Sequence, residues 1–73
     1  MVIVIRPDLP RDAPELQQLI ALAESFPNIT TQVRVIQGAT RSLTEVYLLG
    51  PTHAVPTAPF EEFDSVEKVV RIT

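Results

Sequence analysis

The side chains that could carry out acid–base or nucleophilic chemistry are few and scattered along the 73 residues. His53 is the single histidine, and it lies in a Gly-Pro-Thr-His segment with no acidic residue within four positions. Metal sites need several converging ligands, so this pattern favours an exposed loop histidine over a ligand or a base. The chain also has the residue types of a catalytic triad, namely His53, Asp64 and the serines Ser25, Ser42 and Ser65. None of them lies in a nucleophile elbow, so the sequence gives little ground for a hydrolytic site.

Acidic and basic side chains offer a second kind of chemistry. The acidic segment consists of Glu61, Glu62, Asp64 and Glu67. Acids in the first turn of a helix favour its dipole, so we interpret this segment as a solvated surface and not as a pair of catalytic carboxylates. Arg34 and Arg41 flank a predicted hairpin, and Arg6 ends the first predicted strand. These arginines are either ordinary charges at strand ends or contacts to a carboxylate ligand or an acidic partner, since a guanidinium binds carboxylates through two bonds.

The composition excludes several classes of function. The net charge is −3, which argues against a surface that neutralises nucleic-acid phosphates. The longest apolar run covers 1–5, which is too short to cross a membrane or to serve as a signal peptide. With no cysteine there is no disulfide framework and no thiolate metal site, and we expect a cytoplasmic protein. A chain this short forms one domain, 1–73, and buries only about 60% of its surface.

The elements that must position these side chains follow from periodicity and turn residues. A β-branched run at 2–5 predicts a central strand. Asp12 is the predicted helix cap, with Glu15 in the capping-box position, and apolar residues then recur at helical spacing until Pro27 ends the helix near Phe26. The remaining predicted elements are strands at 29–36 and 43–49, a short helix that begins at 57–59 and contains Phe60 and Phe63, and a strand at 66–72.

This order, β-α-β-β-α-β, predicts an α+β fold, the ferredoxin-like two-layer sandwich with two helices on one face of a four-stranded antiparallel sheet. Neighbouring side chains on a strand point to opposite faces, so Ile3 and Ile5 cannot share the helix-covered face with Val2 and Val4. Leaving several apolar side chains in water would forgo a few kcal/mol that a small domain needs. We therefore expect a partner on the open sheet face, and the simplest is a homo-oligomer.

Residue content narrows the functions that this fold hosts. An RNA-recognition domain would carry aromatic residues on its central strands, and 2–5 has none. A metallochaperone would carry a Cys-x-x-Cys pair, and an acylphosphatase-like enzyme would carry an asparagine on the third strand. None of these is present, which leaves a regulatory or assembly module of the ACT-like kind.

The sequence also resembles a known family over nearly its whole length. The matching features are Val2-Ile3-Val4-Ile5-Arg6-Pro7, Leu22-Ala23-Glu24-Ser25-Phe26, Gln37-Gly38 with Arg41, Leu49-Gly50, Phe60-Glu61 and Val66-Glu67-Lys68-Val69-Val70-Arg71. In this order they are similar to the N-terminal ferredoxin-like domain of the DAHP synthases (3-deoxy-7-phosphoheptulonate synthases, also named phospho-2-dehydro-3-deoxyheptonate aldolases). These transferases catalyse the first step of the shikimate pathway, towards the aromatic amino acids.

The resemblance implies a division of labour. In the family a (β/α)₈ barrel condenses phosphoenolpyruvate with erythrose 4-phosphate and holds a divalent metal, whereas the ferredoxin-like domain helps to assemble the oligomer and to mediate feedback inhibition by aromatic amino acids. This chain stops about where the linker to such a barrel would begin. We therefore expect no catalysis, no cofactor and no metal in this chain, and its expected partners are sister domains, a barrel and an aromatic amino-acid effector.

Four residues are the candidate contacts to an effector or an interface: Arg34, Ile36, Arg41 and Tyr47. Tyr47 is expected to pack with its hydroxyl at the rim of the sheet. Two alternatives remain open at this point. Instead of a DAHP synthase domain, the chain could be a free-standing ACT-like sensor of another small molecule, or a simple homo-oligomerisation module unrelated to aromatic biosynthesis.

Overall fold

The sheet and its two helices have the predicted order. The computed structural model describes residues 1–7 and 13–71. Its elements are β1 (Val2–Ile5), α1 (Pro14–Glu24), β2 (Thr30–Gln37), β3 (Ser42–Leu49), a 3₁₀ turn (Thr52–Ala54), α2 (Ala58–Glu61) and β4 (Val66–Val70). The strands form one antiparallel sheet in the order β2-β3-β1-β4. The predicted ferredoxin-like α+β sandwich is confirmed.

β1 lies in the middle of the sheet because its β-branched side chains suit burial on both faces. Ile3 is aligned with Val46 of β3 on one side and with Val69 of β4 on the other. Ile3 and Val46 are both completely buried. The core beneath the helices is built around such residues, namely Met1, Ile3, Ile5, Leu16, Leu19, Ala23, Ile29, Val46, Leu48, Val55, Phe60 and Val66.

α1 begins later than the sequence predicts. The N-cap position falls at Ala13, which makes no side-chain capping bond, and Pro14 occupies the first turn, where its missing N–H is harmless. The predicted cap, Asp12, lies outside the described residues. The capping box that Asp12 would form with Glu15 lies outside them as well. The Glu15 carboxylate accepts a long hydrogen bond from the Ser65 N–H, at 3.4 Å. The helix ends at Glu24, before the Phe26-Pro27 pair, as the pre-proline restriction requires.

The β2–β3 hairpin has a tight connection. Gln37 is aligned with Ser42, and the Gly38 N–H donates to the Arg41 carbonyl oxygen at 2.8 Å. Both strands agree with the prediction to within one residue at each end. This connection fixes the register of the whole hairpin, and so it decides which side chains meet across the two strands.

The second half of the chain departs most from the prediction. α2 is a single turn, as its prolines require, and its Phe60 is completely buried. The Phe60 ring lies 6.3 Å from that of Phe26, in the segment that follows α1. The 3₁₀ turn was not predicted. It is held by Arg71, whose guanidinium donates to the carbonyl oxygens of Thr52 at 2.9 Å and Val55 at 2.6 Å.

Candidate functional site

In the described part of the chain, one face of the sheet is not covered by a helix. Ile3 and Ile5 belong to the core, whereas Val2 and Val4 point to the opposite side and lie outside that cluster. We call this surface the open face. From the register of the strands, its members are Val2, Val4, Thr30, Gln32, Arg34, Ile36, Leu43, Glu45, Tyr47, Leu49, Lys68 and Val70.

A row of charged side chains crosses the open face. Glu45 of β3 lies between Arg34 of β2 and Val4 of β1, and Lys68 of β4 follows on the far side of Val4. An acidic and a basic residue therefore occupy directly opposed positions on neighbouring strands, where opposite charges attract. The Tyr47 hydroxyl donates a hydrogen bond to Glu45 Oε1 at 2.8 Å, which holds this carboxylate in place.

The apolar part of the open face differs from the expectation. Val2 and Val4 are each only 6% exposed, although no helix of the described chain lies above them. In the register their neighbours on this face are Glu45 and Tyr47 of β3 and Lys68 and Val70 of β4. The expectation that these valines lie in water is therefore wrong, and the energetic argument for a partner must rest on other residues.

Those other residues are on the same face. The large hydrophobic side chains that are exposed in the described part of the chain are Ile36, Leu49 and Val70, at 43%, 49% and 40%. Their positions in the register place all three on the open face, near its edges. The helix-covered side of the described chain exposes none of comparable size, so the exposed apolar surface is concentrated on the open face.

Three of the four predicted contact residues come together there. Arg34 and Tyr47 line the same shallow depression of about 240 Å³, together with Gln32 and Val33, and Ile36 lies on the same face. Arg41 does not line this depression; it is exposed in the turn that joins β2 to β3. The depression combines a cation and an aromatic ring with a nearby carboxylate, a set that suits the binding of a small charged molecule.

Glu45 is the functional candidate that sequence reasoning missed. As a single acid in an apolar strand it carries no signal of its own. The signal lies in the hairpin, because the turn at 38–41 aligns Gln37 with Ser42 and thereby sets Glu45 opposite Arg34. Tyr47 is half-buried with its hydroxyl on a polar partner, as the sequence suggests for an aromatic at the rim.

The other groups considered from the sequence do not form a reaction centre. His53 is exposed, and in the described chain its side chain makes no hydrogen bond to a serine or an acid. Ser65 is 4% exposed, and its hydroxyl has no hydrogen-bond partner in the structure. The residues of the acidic segment, Glu61, Glu62, Asp64 and Glu67, are all exposed.

Two further depressions lie near the acidic segment. One, of about 330 Å³, is lined by Glu61, Val66, Glu67, Lys68 and Val69, and the other, of about 270 Å³, by Glu15, Pro59, Glu62, Phe63 and Asp64. Among residues 1–7 and 13–71, no group of three or more histidines and acids is placed to hold a metal ion.

The described residues form a small ferredoxin-like α+β domain with one open sheet face. The structure is similar to the crystal structure of DAHP synthase (phospho-2-dehydro-3-deoxyheptonate aldolase) from Thermotoga maritima, with a TM-score of 0.64 and 25% sequence identity. The match covers 99% of this chain and 19% of that protein, so the chain spans about a fifth of its length. The resemblance predicted from the sequence is thus confirmed, and the similarity supports a relation to one domain of that enzyme.

Other comparisons gave no match. No protein-family model matches the chain, and no curated protein matches it either. The helices in the described ranges are all too short or too polar to pass through a bilayer.

Proposed function

We propose that this chain is a non-catalytic regulatory and assembly domain of the DAHP synthase type. The observation that carries the proposal is the extent of the structural match, which takes up 99% of this chain but only 19% of the Thermotoga maritima enzyme. The larger remainder of such an enzyme supplies the catalytic barrel with its divalent metal. A cytoplasmic location belongs to the same proposal.

The open face is the part of the domain that docks. Ile36, Leu49 and Val70 are 40% to 49% exposed. Their burial against a sister domain or the barrel would remove this apolar surface from water, which stabilises the docked state. The depression beside them has a volume of about 240 Å³. Small-molecule sites typically have about 300–1,000 Å³ and bury most of the ligand, so this depression amounts to half a site that a second surface completes.

The chemistry of the depression fits a free amino acid with an aromatic side chain. Arg34 offers a guanidinium for the α-carboxylate, and Glu45, held by the Tyr47 hydroxyl, offers a carboxylate for the α-ammonium group. The Tyr47 ring gives an aromatic surface for the ligand's own ring. An effector bound between two docked surfaces would favour the docked arrangement, a coupling typically worth about 1–3 kcal/mol.

An NMR titration tests the effector. Tyrosine, phenylalanine and tryptophan are added up to millimolar concentration to the ¹⁵N-labelled chain. We expect localised shifts at the amides of Gln32, Arg34, Glu45 and Tyr47, and we expect them to disappear in Arg34→Ala but to persist in Arg41→Ala, an exposed arginine outside the depression. Silence with all three amino acids would refute sensing and leave the simple assembly module, while shifts with a different small molecule would favour the free-standing sensor.

A further inference from the structure

Val70, the last residue of β4, receives little support from the sheet. In the order β2-β3-β1-β4, β4 is an edge strand that pairs only with β1. It has five residues, its register with β1 is irregular at the other end, and Val70 is 40% exposed. The end of such a strand opens easily, because few contacts must break. A contact outside the sheet would therefore decide how often this strand end opens.

The hydrogen bonds of the sheet show what the backbone contributes at this strand end. The Leu48 N–H donates to the Met1 carbonyl oxygen at 2.9 Å, so Met1 directs its backbone groups to β3. By alternation Val2 directs its own backbone groups to β4, where its partner in the register is Val70. Val2 and Val70 thus form the final hydrogen-bonded pair between β1 and β4.

Arg71 supplies a contact outside the sheet, directly after this pair. Its guanidinium donates to the carbonyl oxygens of Thr52 at 2.9 Å and Val55 at 2.6 Å, and we call these two bonds the Arg71 clamp. Val55 is 2% exposed and belongs to the core beneath the helices, so one acceptor of the clamp is anchored in the body of the domain. Hydrogen bonds from a charged donor are among the stronger ones in proteins. The clamp therefore ties the end of β4 to the 3₁₀ turn.

We infer that Arg71 is a positioning residue for docking, because its clamp on the 3₁₀ turn keeps the end of β4 closed and thereby holds Val70 on the open face. The guanidinium reaches a core residue, Val55, on the helix-covered side, so its effect on a docked partner is indirect. The coupling is reciprocal, since a partner that buries Val70 also keeps the end of β4 closed and strengthens the clamp. The link to docking rests on the function proposed above, whereas the clamp rests on the hydrogen bonds of the described chain alone.

Hydrogen exchange of the isolated chain tests the clamp without any partner. The Val70 amide reports on the end of β4, and the Lys68 amide, in the preceding hydrogen-bonded pair with Val4, reports on the middle of the same strand. Arg71→Ala should speed exchange at Val70 by about 3-fold to 10-fold, the factor that one net hydrogen bond supplies, and should leave Lys68 almost unchanged. Arg41→Ala is the matched control, since it removes the same charge from the exposed β2–β3 turn, and it should change neither amide.

Two results of the exchange measurement would overturn the inference. Unchanged exchange at Val70 in Arg71→Ala would show that the clamp does not hold the end of β4, even if the 3₁₀ turn itself loosened. An equal increase at Val70 and Lys68 would show that the substitution lowers the stability of the whole domain, which is not a positioning effect. Arg71→Lys, which offers one nitrogen in place of two, should exchange at a rate between those of the wild type and Arg71→Ala.

Sedimentation equilibrium tests the link to docking with Val70→Thr, Arg71→Ala and the double variant. If Arg71 acts through Val70, Arg71→Ala weakens association by no more than Val70→Thr does, about 3-fold to 10-fold, and adds almost nothing in the double variant. Two factors that multiply in the double variant would contradict a positioning role. A wild-type chain that does not associate would count against docking of sister domains, while the exchange rates alone would then confirm or overturn the clamp.

Discussion

Replacing Ile36, Leu49 and Val70 together by threonine should weaken docking on the open face while leaving the fold intact. Threonine keeps the β-propensity of these strand positions and removes most of their apolar surface. The three side chains are 43%, 49% and 40% exposed, so each has already lost more than half of its surface to the fold itself. Complete burial of a side chain of this type is worth about 1.5–3 kcal/mol, and the exposed part therefore corresponds to about 0.7–1.4 kcal/mol for each residue.

The sum gives the expected size of the effect. Three such residues contribute about 2–4 kcal/mol for each open face in the interface. The affinity should therefore fall by roughly 30-fold to 1,000-fold if one open face takes part, and by more if two open faces meet. Sedimentation equilibrium over a wide concentration range measures this loss, with urea unfolding followed by circular dichroism in parallel. The midpoint of unfolding of the triple variant should stay close to that of the wild type at concentrations where both are dissociated.

Val4→Ala is the matched control, since Val4 lies on the same face but is only 6% exposed. Its removal should lower the free energy of unfolding by about 1–2 kcal/mol and leave docking almost unchanged. The reasoning would be refuted if the triple variant assembled as strongly as the wild type, or if Val4→Ala weakened assembly as much as the triple substitution.

Three further substitutions test how the fold is held together. Gly50→Ala should lower the stability by about 2 kcal/mol or more, because Gly50 has φ 125° and a Cβ there would collide with the Asn28 carbonyl oxygen; unchanged urea unfolding would contradict this. Arg71→Ala should speed hydrogen exchange at the Val55 amide by releasing the 3₁₀ turn, with Arg71→Lys intermediate, and equal exchange in all three proteins would show that the two guanidinium bonds do not hold the turn. Leu19→Ala, at a completely buried site, should cost about 2–5 kcal/mol, whereas Leu49→Ala should cost less than about 1 kcal/mol; similar losses in thermal unfolding would count against the core assignment.

Most of the fold is predictable from the sequence because the local signals agree with one another. The run at 2–5, the stripe of α1 and the alternation of β2 each favour one structure, and the prolines mark where α1 ends and why α2 is short. The 3₁₀ turn is different in kind. It depends on hydrogen bonds from Arg71 to the carbonyl oxygens of Thr52 and Val55, which are distant from Arg71 in the sequence. A local sequence pattern does not predict hydrogen bonds between such distant residues.

The candidate site was predictable only in part. Alternation assigns Arg34 and Ile36 to one side of β2, but the importance of Glu45 depends on the hairpin register and on the Tyr47 hydroxyl. Burial of Val2 and Val4 on the open face was not predictable either. The burial of a central strand on both faces is a matter of tertiary packing, which single-strand patterns do not contain.

Feedback inhibition of DAHP formation tests the central proposal most directly. The condensation of phosphoenolpyruvate with erythrose 4-phosphate by the partner barrel, whether encoded in the same gene or a separate one, is measured with and without this chain while tyrosine, phenylalanine or tryptophan is added. The proposal predicts that the chain alone forms no product and that inhibition requires the chain, with Arg34→Ala abolishing inhibition but not the barrel's activity. Product formed by the chain alone, or equal inhibition of the barrel without it, would contradict the proposal.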